Sequence, residues 1–486
     1  MPQVLDQQSV QTRNLIGGEW VGAASGEEFD ILDPATDEIV ARVPRCGRSE
    51  TRDAIDAAAE AFPEWSRTTA QERGRLLRRL YELMMRDQDR LAELMSREQG
   101  KPLTEAKGEV AYGASFLEWA ADEGRRMYGE TIPANFPDKR ILVLRQPVGV
   151  TACITPWNFP IAMITRKLGP ALACGNTMIV KPAEDTPLSA IAVAELAVEA
   201  GFPSGVFNLV TGNPKEIGEE LFANAAVRKI SFTGSTEVGK MLISQSAQNV
   251  TRLSLELGGH APFIVFDDAD VDAAVKGAIA SKYRNMGQTC ICANRFYIQD
   301  GVYDAFASKL ADEVNRMKIG RGLEEDVQVG PLINDAAVEK VEKHVADATS
   351  KGGRVRTGGE RVRVDGLTDR FFAPTVIDDF TPEMLINTEE TFGPVAPLRR
   401  FSREEEAVAW ANDSIYGLAS YFYTRDASRV MRVAEALEYG IIGANDGGPS
   451  TAQAPFGGVK QSGYGREGGK YVMDEYTEIK YVSWQL

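Results

Sequence analysis

The sequence predicts an α/β protein built as two units, each a parallel sheet covered by helices. Three patterns carry that expectation. From about Gln146 apolar strands alternate with amphipathic segments: strands at Val148–Ile154, Thr177–Val180, Val206–Val210 and Lys229–Phe232, separated by Ile161–Ala173, Pro187–Ala200 and Pro214–Phe222. Parallel strands need a crossover between them, and helices on both faces bury such strands. A second alternating run begins near Ala261. Its strands are Phe263–Phe266, Arg295–Gln299, Pro374–Ile377, Val395–Phe401, Ser420–Thr424 and Gly440–Gly443, among helices such as Asp270–Arg284, Tyr303–Met317, Ala336–Ser350 and Ala427–Glu438. Third, Arg140–Leu144 and Thr477–Trp484 alternate like strands yet belong to neither run; they are expected to pair as an arm or to bridge subunits. The opening third is mostly helical after a short strand-rich start. Ser49 is read as the cap of a helix through Phe62, and Gln71–Gln99 keeps helical periodicity until Gly100, Lys101 and Pro102 stop it.

Composition narrows the functions. The formal net charge of −16 repels nucleic acid and anionic membrane. No apolar stretch is long enough to span a bilayer, and the polar stretch Met1–Glu19 lacks the basic start and apolar run of a signal peptide. Five scattered cysteines, Cys46, Cys153, Cys174, Cys290 and Cys292, read as reduced thiols in a cytoplasm. They are not spaced like a zinc site, and only His260 and His344 exist to help, so no metal centre is expected.

In the first run, Lys229–Thr233 leads through Gly234 and Ser235 into a helix. A glycine at such a turn lets backbone approach a phosphate, and the helix start offers free N–H groups. The same pattern also fits an ordinary serine-capped turn. A literal G-x-G-x-x-G at Gly463, Gly465 and Gly468 follows no apolar strand and is set aside. Lys181–Glu184 stands at a strand's carboxyl end, where a doubly wound sheet keeps its ligand crevice.

Cys290 lies in a glycine-containing loop after a helix, the setting of a nucleophile, although most cysteines simply pack. With two histidines in the chain, its base is sought among carboxylates. Glu256, flanked by leucines and followed by two glycines, fits, because apolar surroundings raise a carboxyl pKa toward neutrality. Asn158, between Pro156 and Pro160, offers an amide to a developing oxyanion.

Together these residues resemble the aldehyde dehydrogenase superfamily over nearly the whole chain. Seven motifs carry the likeness in order: Trp157–Pro160, Lys181–Glu184, Phe232–Thr236, Glu256–Gly259, Gly287–Cys290, Glu389–Pro394 and Pro455–Gly458. The resemblance implies a Rossmann-type cofactor domain (1–125 and 146–257), a catalytic α/β domain (258–455) and a small β oligomerisation arm (126–145 and 456–486). It implies that Cys290 attacks an aldehyde, that Asn158 with the Cys290 N–H holds the oxyanion, and that Glu256 activates the water that hydrolyses the thioester. It places Trp157, Lys181, Glu184, Gly234, Ser235, Leu257, Glu390 and Phe392 at a bound NAD or NADP. Glu184 favours NAD, since a carboxylate at the ribose repels a 2′-phosphate. A homotetramer is expected by the same analogy.

Within that family the chain is most similar to succinate-semialdehyde dehydrogenases. Arg166, Arg284 and Ser450 match positions that bind the substrate carboxylate there, a task suited to guanidinium forks. The loop Gly447–Gln453 is smaller and more rigid than usual, which leaves sulfolactaldehyde, glutarate semialdehyde and 2-oxoglutarate semialdehyde as alternatives. A catalytically silent binding protein on the same fold is the alternative of another class. Cys292, two residues past the nucleophile, is a candidate for a redox bridge with it.

Overall fold

The computed structural model describes residues 10–486; the first nine residues of the polar N-terminal stretch read above lie outside them. The first unit is an eight-stranded sheet in the spatial order Glu19–Val21, Asn14–Ile16, Phe207–Leu209, Thr177–Lys181, Val150–Ile154, Val227–Thr233, Arg252–Glu256 and Gly463–Tyr464. Its five central strands run parallel, and antiparallel strands close both edges. Every residue of Thr177–Lys181 is buried, as a central strand with helices on both faces requires.

The second unit is a seven-stranded sheet in the order Arg354–Thr357, Thr375–Asp378, Val395–Phe401, Ala293–Gln299, Ala261–Val265, Ala419–Tyr423 and Ile441–Ala444. All pairings but the first are parallel. Phe263 sits at its centre, with the rings of Phe296, Phe306, Tyr421 and Tyr423 all within 6.4 Å of its own.

The two orphan segments pair with each other. Thr477–Gln485 lies antiparallel to Lys139–Pro147, with Glu130–Ile132 as a third strand. The arm is shorter at its C-terminal part than the sequence reading drew it. Residues 456–476 pack on the two units instead: Phe456 enters the second core and Val459–Lys460 pairs with Tyr416–Gly417, Gly463–Tyr464 pairs with Leu255–Glu256, and Val472, Met473 and Tyr476 enter the first core. Burying those three apolar side chains pulls the chain back before the exposed strand begins.

Three local readings change. Arg252–Glu256, given no element in the sequence reading beyond the base at Glu256, is a parallel strand buried from Leu253 onward. The helix read from Ser49 starts at Arg48 behind Gly47, where the Glu50 carboxylate accepts from the Gly47 N–H at 2.9 Å. The single long periodicity before Gly100 is two helices, Ala70–Arg86 and Gln88–Gln99, broken at Asp87. Gly100 does end the second one, in the left-handed conformation at φ 88°.

One feature of the topology positions the site. The strand Arg252–Glu256 is the last of the first sheet's parallel strands, and after four residues the chain begins the second sheet's strand Ala261–Val265. The carboxyl rim of the first sheet therefore faces the amino rim of the second. Replacing Phe263 with alanine is expected to cost about 3–5 kcal/mol, read as a lower thermal-inactivation temperature; an unchanged temperature would contradict the central role of this ring.

Candidate active site

Register collects the motifs of the first sheet. Ile154 lies beside Lys181 and Phe232, and Thr233 beside Glu256, so the loops that follow all leave from one rim. Those loops carry Trp157–Asn158, Glu184, Gly234–Ser235 and Leu257. Across the cleft, the amino rim of the second sheet supplies Cys290 ahead of Ala293–Gln299, and Glu390 and Phe392 ahead of Val395–Phe401.

The nucleophile loop is bent through three consecutive left-handed residues, Asn285, Met286 and Gly287, at φ of 50°, 55° and 74°. Such a conformation costs a residue like methionine about 1–2 kcal/mol. Gly287 is also fixed by space, since a Cβ there would lie 2.2 Å from the Gly393 carbonyl oxygen. Hydrogen bonds hold the bend. The Asn285 N–H donates to Glu105 at 2.8 Å, Gln99 donates to the Asn285 side-chain oxygen at 3.0 Å, and Asn285 Nδ2 donates to the Asn158 carbonyl at 3.0 Å. Asn158 answers by donating from Nδ2 to the Gln288 carbonyl at 2.9 Å. A primary amide has two N–H bonds, so one remains for an oxyanion beside Cys290. The Cys290 N–H donates to no backbone carbonyl among the described residues.

Burial pushes the half-exposed Cys290 thiol up to about 12, opposed by Arg166 and Arg284 and reinforced by Glu390 and Glu256. The same four charged groups thus surround the sulfur. Glu256 is buried with Oε2 lacking a hydrogen-bond partner, and its carboxyl is held well above the ordinary range by burial and then by the neighbouring Glu467. A raised pKa makes its carboxylate a stronger base than an exposed one. Gly457 leaves room for it: a Cβ there would sit 2.9 Å from Glu256 Oε1. Glu467 itself stays ionised beside Lys167 at 2.5 Å and Arg166 at 2.9 Å, two cations that outweigh its burial.

Arg166 is buried over the Phe456 ring at 3.8 Å; its Nε faces Glu467 Oε2 at 2.9 Å, and its Nη2 makes no hydrogen bond. It is thus already charge-compensated by Glu467 while keeping donors in hand beside Cys290 and Tyr112. Arg284 is half-buried over the Phe159 ring at 5.1 Å and forms no ion pair among the described residues. Ser450 hydrogen-bonds the Tyr112 hydroxyl. Two cations and two hydroxyls therefore gather around one mouth.

On the cofactor side, Trp157 and Phe392 meet edge to face at 5.7 Å. Lys181 is buried with its ammonium 3.0 Å from Glu184 Oε1, yet that oxygen has no aligned hydrogen bond. Ser235 caps the helix Thr236–Ser246 by accepting from the Val238 N–H at 3.3 Å. Leu257 packs against Gly239, where a Cβ would come within 2.6 Å. Glu390 accepts from the Gly259 N–H at 3.1 Å, and burial pushes its carboxyl to about 7. An orphaned carboxylate oxygen beside a buried lysine, and a capped helix start on the same rim, fit a dinucleotide's ribose and phosphates.

The histidines serve this loop rather than the chemistry. His260 Nε2 donates to the Asn387 carbonyl at 3.0 Å, while His344 donates to Glu389 at 3.1 Å and accepts from Thr391 at 3.2 Å. Cys292 is buried with its sulfur 3.4 Å from Lys282 Nζ. Among the described residues no group of three histidine, cysteine or acidic side chains is placed to hold a metal ion, and no helix is long and apolar enough to cross a membrane.

Sequence reasoning missed Tyr112, Lys167, Glu467 and the group Gln99, Lys101, Glu105 and Glu109. Lys167 had a visible signal, a second cation after Arg166 in an otherwise apolar helix. So did Glu105 and Glu109, acids four apart on one helix face just past Gly100–Lys101–Pro102. Glu467 sat inside the glycine cluster that was set aside.

The electrostatics make a test of the nucleophile. Alkylation of Cys290 by iodoacetamide is expected to rise with a midpoint above that of a free thiol, because burial raises the pKa. Arg166→Met removes a cation that favours the thiolate, so the midpoint moves higher still; a midpoint that falls or stays fixed would contradict this geometry.

Comparison with known proteins shows the family. The model of the aldehyde dehydrogenase family matches residues 20–482. The chain is 57% identical over 480 residues to a glutarate-semialdehyde dehydrogenase of Pseudomonas putida, covering 99% of each. It is 57% identical over 477 residues to the NADP(+) succinate-semialdehyde dehydrogenase GabD of Escherichia coli, covering 98% of each. The crystal structure of a succinate-semialdehyde dehydrogenase from Burkholderia pseudomallei superposes with a TM-score of 0.96 at 55% identity, covering 100% of this chain and 99% of that one. With its thiol, buried carboxyl and amide on facing sheet rims, this chain belongs to the aldehyde dehydrogenase family.

Proposed function

We propose that the chain oxidises an aldehyde with an anionic tail, succinate semialdehyde foremost, to the carboxylate. The observation that carries the substrate class is Arg284, a half-buried cation with no ion-pair partner among the described residues, beside the spare donors of Arg166. A cation so placed is stabilised by a carboxylate arriving with the substrate. Ser450 and Tyr112 add hydroxyls to the same mouth. The names of the relatives support the class, since both act on semialdehydes that end in a carboxylate.

In this reading Cys290 Sγ adds to the aldehyde carbon and its proton leaves to water, so that Glu256 stays free to act as base in the later step. The oxygen, now negative, accepts from the free N–H of Asn158 and from the Cys290 N–H. A nicotinamide dinucleotide, when bound, supplies the hydride acceptor. Glu256 then takes a proton from the water that attacks the Cys290 thioester, and the raised carboxyl pKa matches that role. The acid, and the thiol freed from it, leave the site ready for the next substrate.

Lys181 and Glu184 would hold the adenosine ribose, Ser235 and the helix behind it the pyrophosphate, and Glu390 with Phe392 the nicotinamide end. NAD is preferred over NADP in this reading, because Glu184 puts a carboxylate where a 2′-phosphate would lie. The Escherichia coli relative is named for NADP(+), so the preference for NAD rests on Glu184 alone. We place the enzyme in the cytoplasm, consistent with five unpaired cysteines, and as a homotetramer joined through the arm, whose Ile132, Leu144, Ile479, Tyr481 and Trp484 are exposed.

Succinate semialdehyde, glutarate semialdehyde, sulfolactaldehyde, 2-oxoglutarate semialdehyde and neutral aldehydes of matched length form the deciding panel. Arg284→Ala is expected to raise KM for the best anionic substrate by about 10–100-fold, the equivalent of a charged hydrogen bond worth about 1.5–3 kcal/mol. Equal kcat/KM on neutral aldehydes, or an unchanged KM in the variant, would sink the anionic reading. For the cofactor, Glu184→Ser is expected to raise kcat/KM for NADP relative to NAD by at least about tenfold, the removal of a like-charge contact; an unchanged ratio would place the choice elsewhere.

A further inference from the structure

Directly under the site lies a buried lysine that the chemistry above does not use. Lys101 follows the left-handed Gly100 that ends the helix Gln88–Gln99 and is 1% exposed. Its ammonium pairs with the equally buried Glu109, donates to the Asn158 carbonyl oxygen at 2.8 Å, and stands 4.2 Å from the Phe159 ring centre. Glu109 in turn accepts from the N–H groups of Ile161 at 3.0 Å and Ala162 at 3.2 Å, at the start of the helix Ala162–Ala173. Both ends of the Trp157–Ile161 turn are therefore tied to one ion pair.

The same short stretch reaches the other half of the site. Glu105 takes the Asn285 N–H and Gln99 donates to the Asn285 side-chain oxygen, while Asn285 Nδ2 shares the Asn158 carbonyl with Lys101. Two donors on that carbonyl fix the Asn158 peptide plane. The side chain leaves the same residue, so its direction toward the Gln288 carbonyl is set by that plane. A buried ion pair is a costly way to hold a turn when apolar packing would serve, unless orientation is what it secures.

We propose that Lys101, backed by Glu109, is the positioning residue of the oxyanion site: it orients the Asn158 peptide so that one side-chain amide N–H rests on the Gln288 carbonyl and the other faces the oxygen of the aldehyde that Cys290 attacks. The proposal rests on the reading of Asn158 as the oxyanion donor. Lys101 touches neither substrate nor cofactor, so it acts on the step in which negative charge develops on the aldehyde oxygen. It leaves dinucleotide binding and the intrinsic reactivity of the sulfur alone.

That division gives the experiment. Lys101→Met leaves Glu109 buried without its partner, so the charge-balanced pair Lys101→Met with Glu109→Gln, which keeps an acceptor for Ile161 and Ala162, is made alongside it. Asn158→Ala is measured in parallel. In the full-length enzyme the balanced pair is expected to lower kcat by about 10–100-fold, short of the about 10²–10³ attached to losing an oxyanion donor outright. The pre-steady-state burst of reduced dinucleotide should slow in step. NAD affinity by fluorescence, and the rate of Cys290 alkylation by iodoacetamide, a reaction that forms no oxyanion, should stay within about twofold of the parent. Lys101→Arg, which can still donate to the Asn158 carbonyl, should recover part of the loss.

If Asn158→Ala loses activity while the balanced pair keeps it, the role of Lys101 is overturned and the oxyanion reading stands. If Asn158→Ala keeps its activity, both fall. If kcat, NAD affinity and alkylation fall together in the balanced pair, Lys101 merely holds the fold and the proposal is overturned.

Discussion

The active site depends on one strained turn. Asn285, Met286 and Gly287 must all stay left-handed for the chain to swing Cys290 toward the first sheet. Strain of that kind persists only where the surroundings over-determine it. Here they do so from both units: Met286 is buried in the second unit's core, and Glu105, Gln99 and Asn158 of the first unit hold Asn285 by hydrogen bonds. Gly287 adds the Gly393 backbone, which leads straight to the strand after Glu390 and Phe392. The loops of Cys290, Asn158 and Glu390–Phe392 are thus joined through three residues.

Around that turn the charges are arranged by burial. A carboxyl in an apolar cleft resists ionising, and a second carboxylate nearby makes it resist further. Glu256 experiences both, with Glu467 as the neighbour. Glu467 escapes the same fate because Lys167 and Arg166 lie against it. Two acids within one cleft are shifted in opposite directions by their different partners, Glu256 toward a stronger base and Glu467 toward a fixed anion. Arg166 serves that pairing and still keeps donors toward the substrate mouth, which no pairing rule read along the chain would reveal.

Much of the architecture was legible because periodicity survives in one dimension. Val395–Phe401 and Pro187–Ala200 appear where their patterns put them, and the arm strands pair in one register from Thr477–Pro147 to Gln485–Lys139. Legibility failed where partners are distant in sequence. Arg252–Glu256 was not seen as a strand because Arg-Leu-Ser-Leu-Glu reads equally as a site. Residues 456–476 were drawn into the arm because nothing local shows that Val472 and Met473 enter a core built from residues far upstream.

The sequence by itself determined the family, the α/β units and the chemistry-bearing side chains, because ordered motifs and hydrophobic period are properties of neighbouring residues. Only the tertiary structure decided that Lys101, read as part of a helix stop, and Glu105 sit beneath Asn158 and Asn285. It alone showed both histidines to be clamps on the 387–391 loop and Arg284 to stand without an ion-pair partner among the described residues. The reason is physical. Hydrogen bonds, ion pairs and the pKa values they set act over a few ångströms of space, and parallel sheets bring together groups separated by more than a hundred residues of chain, as with Asn158 and Gln288.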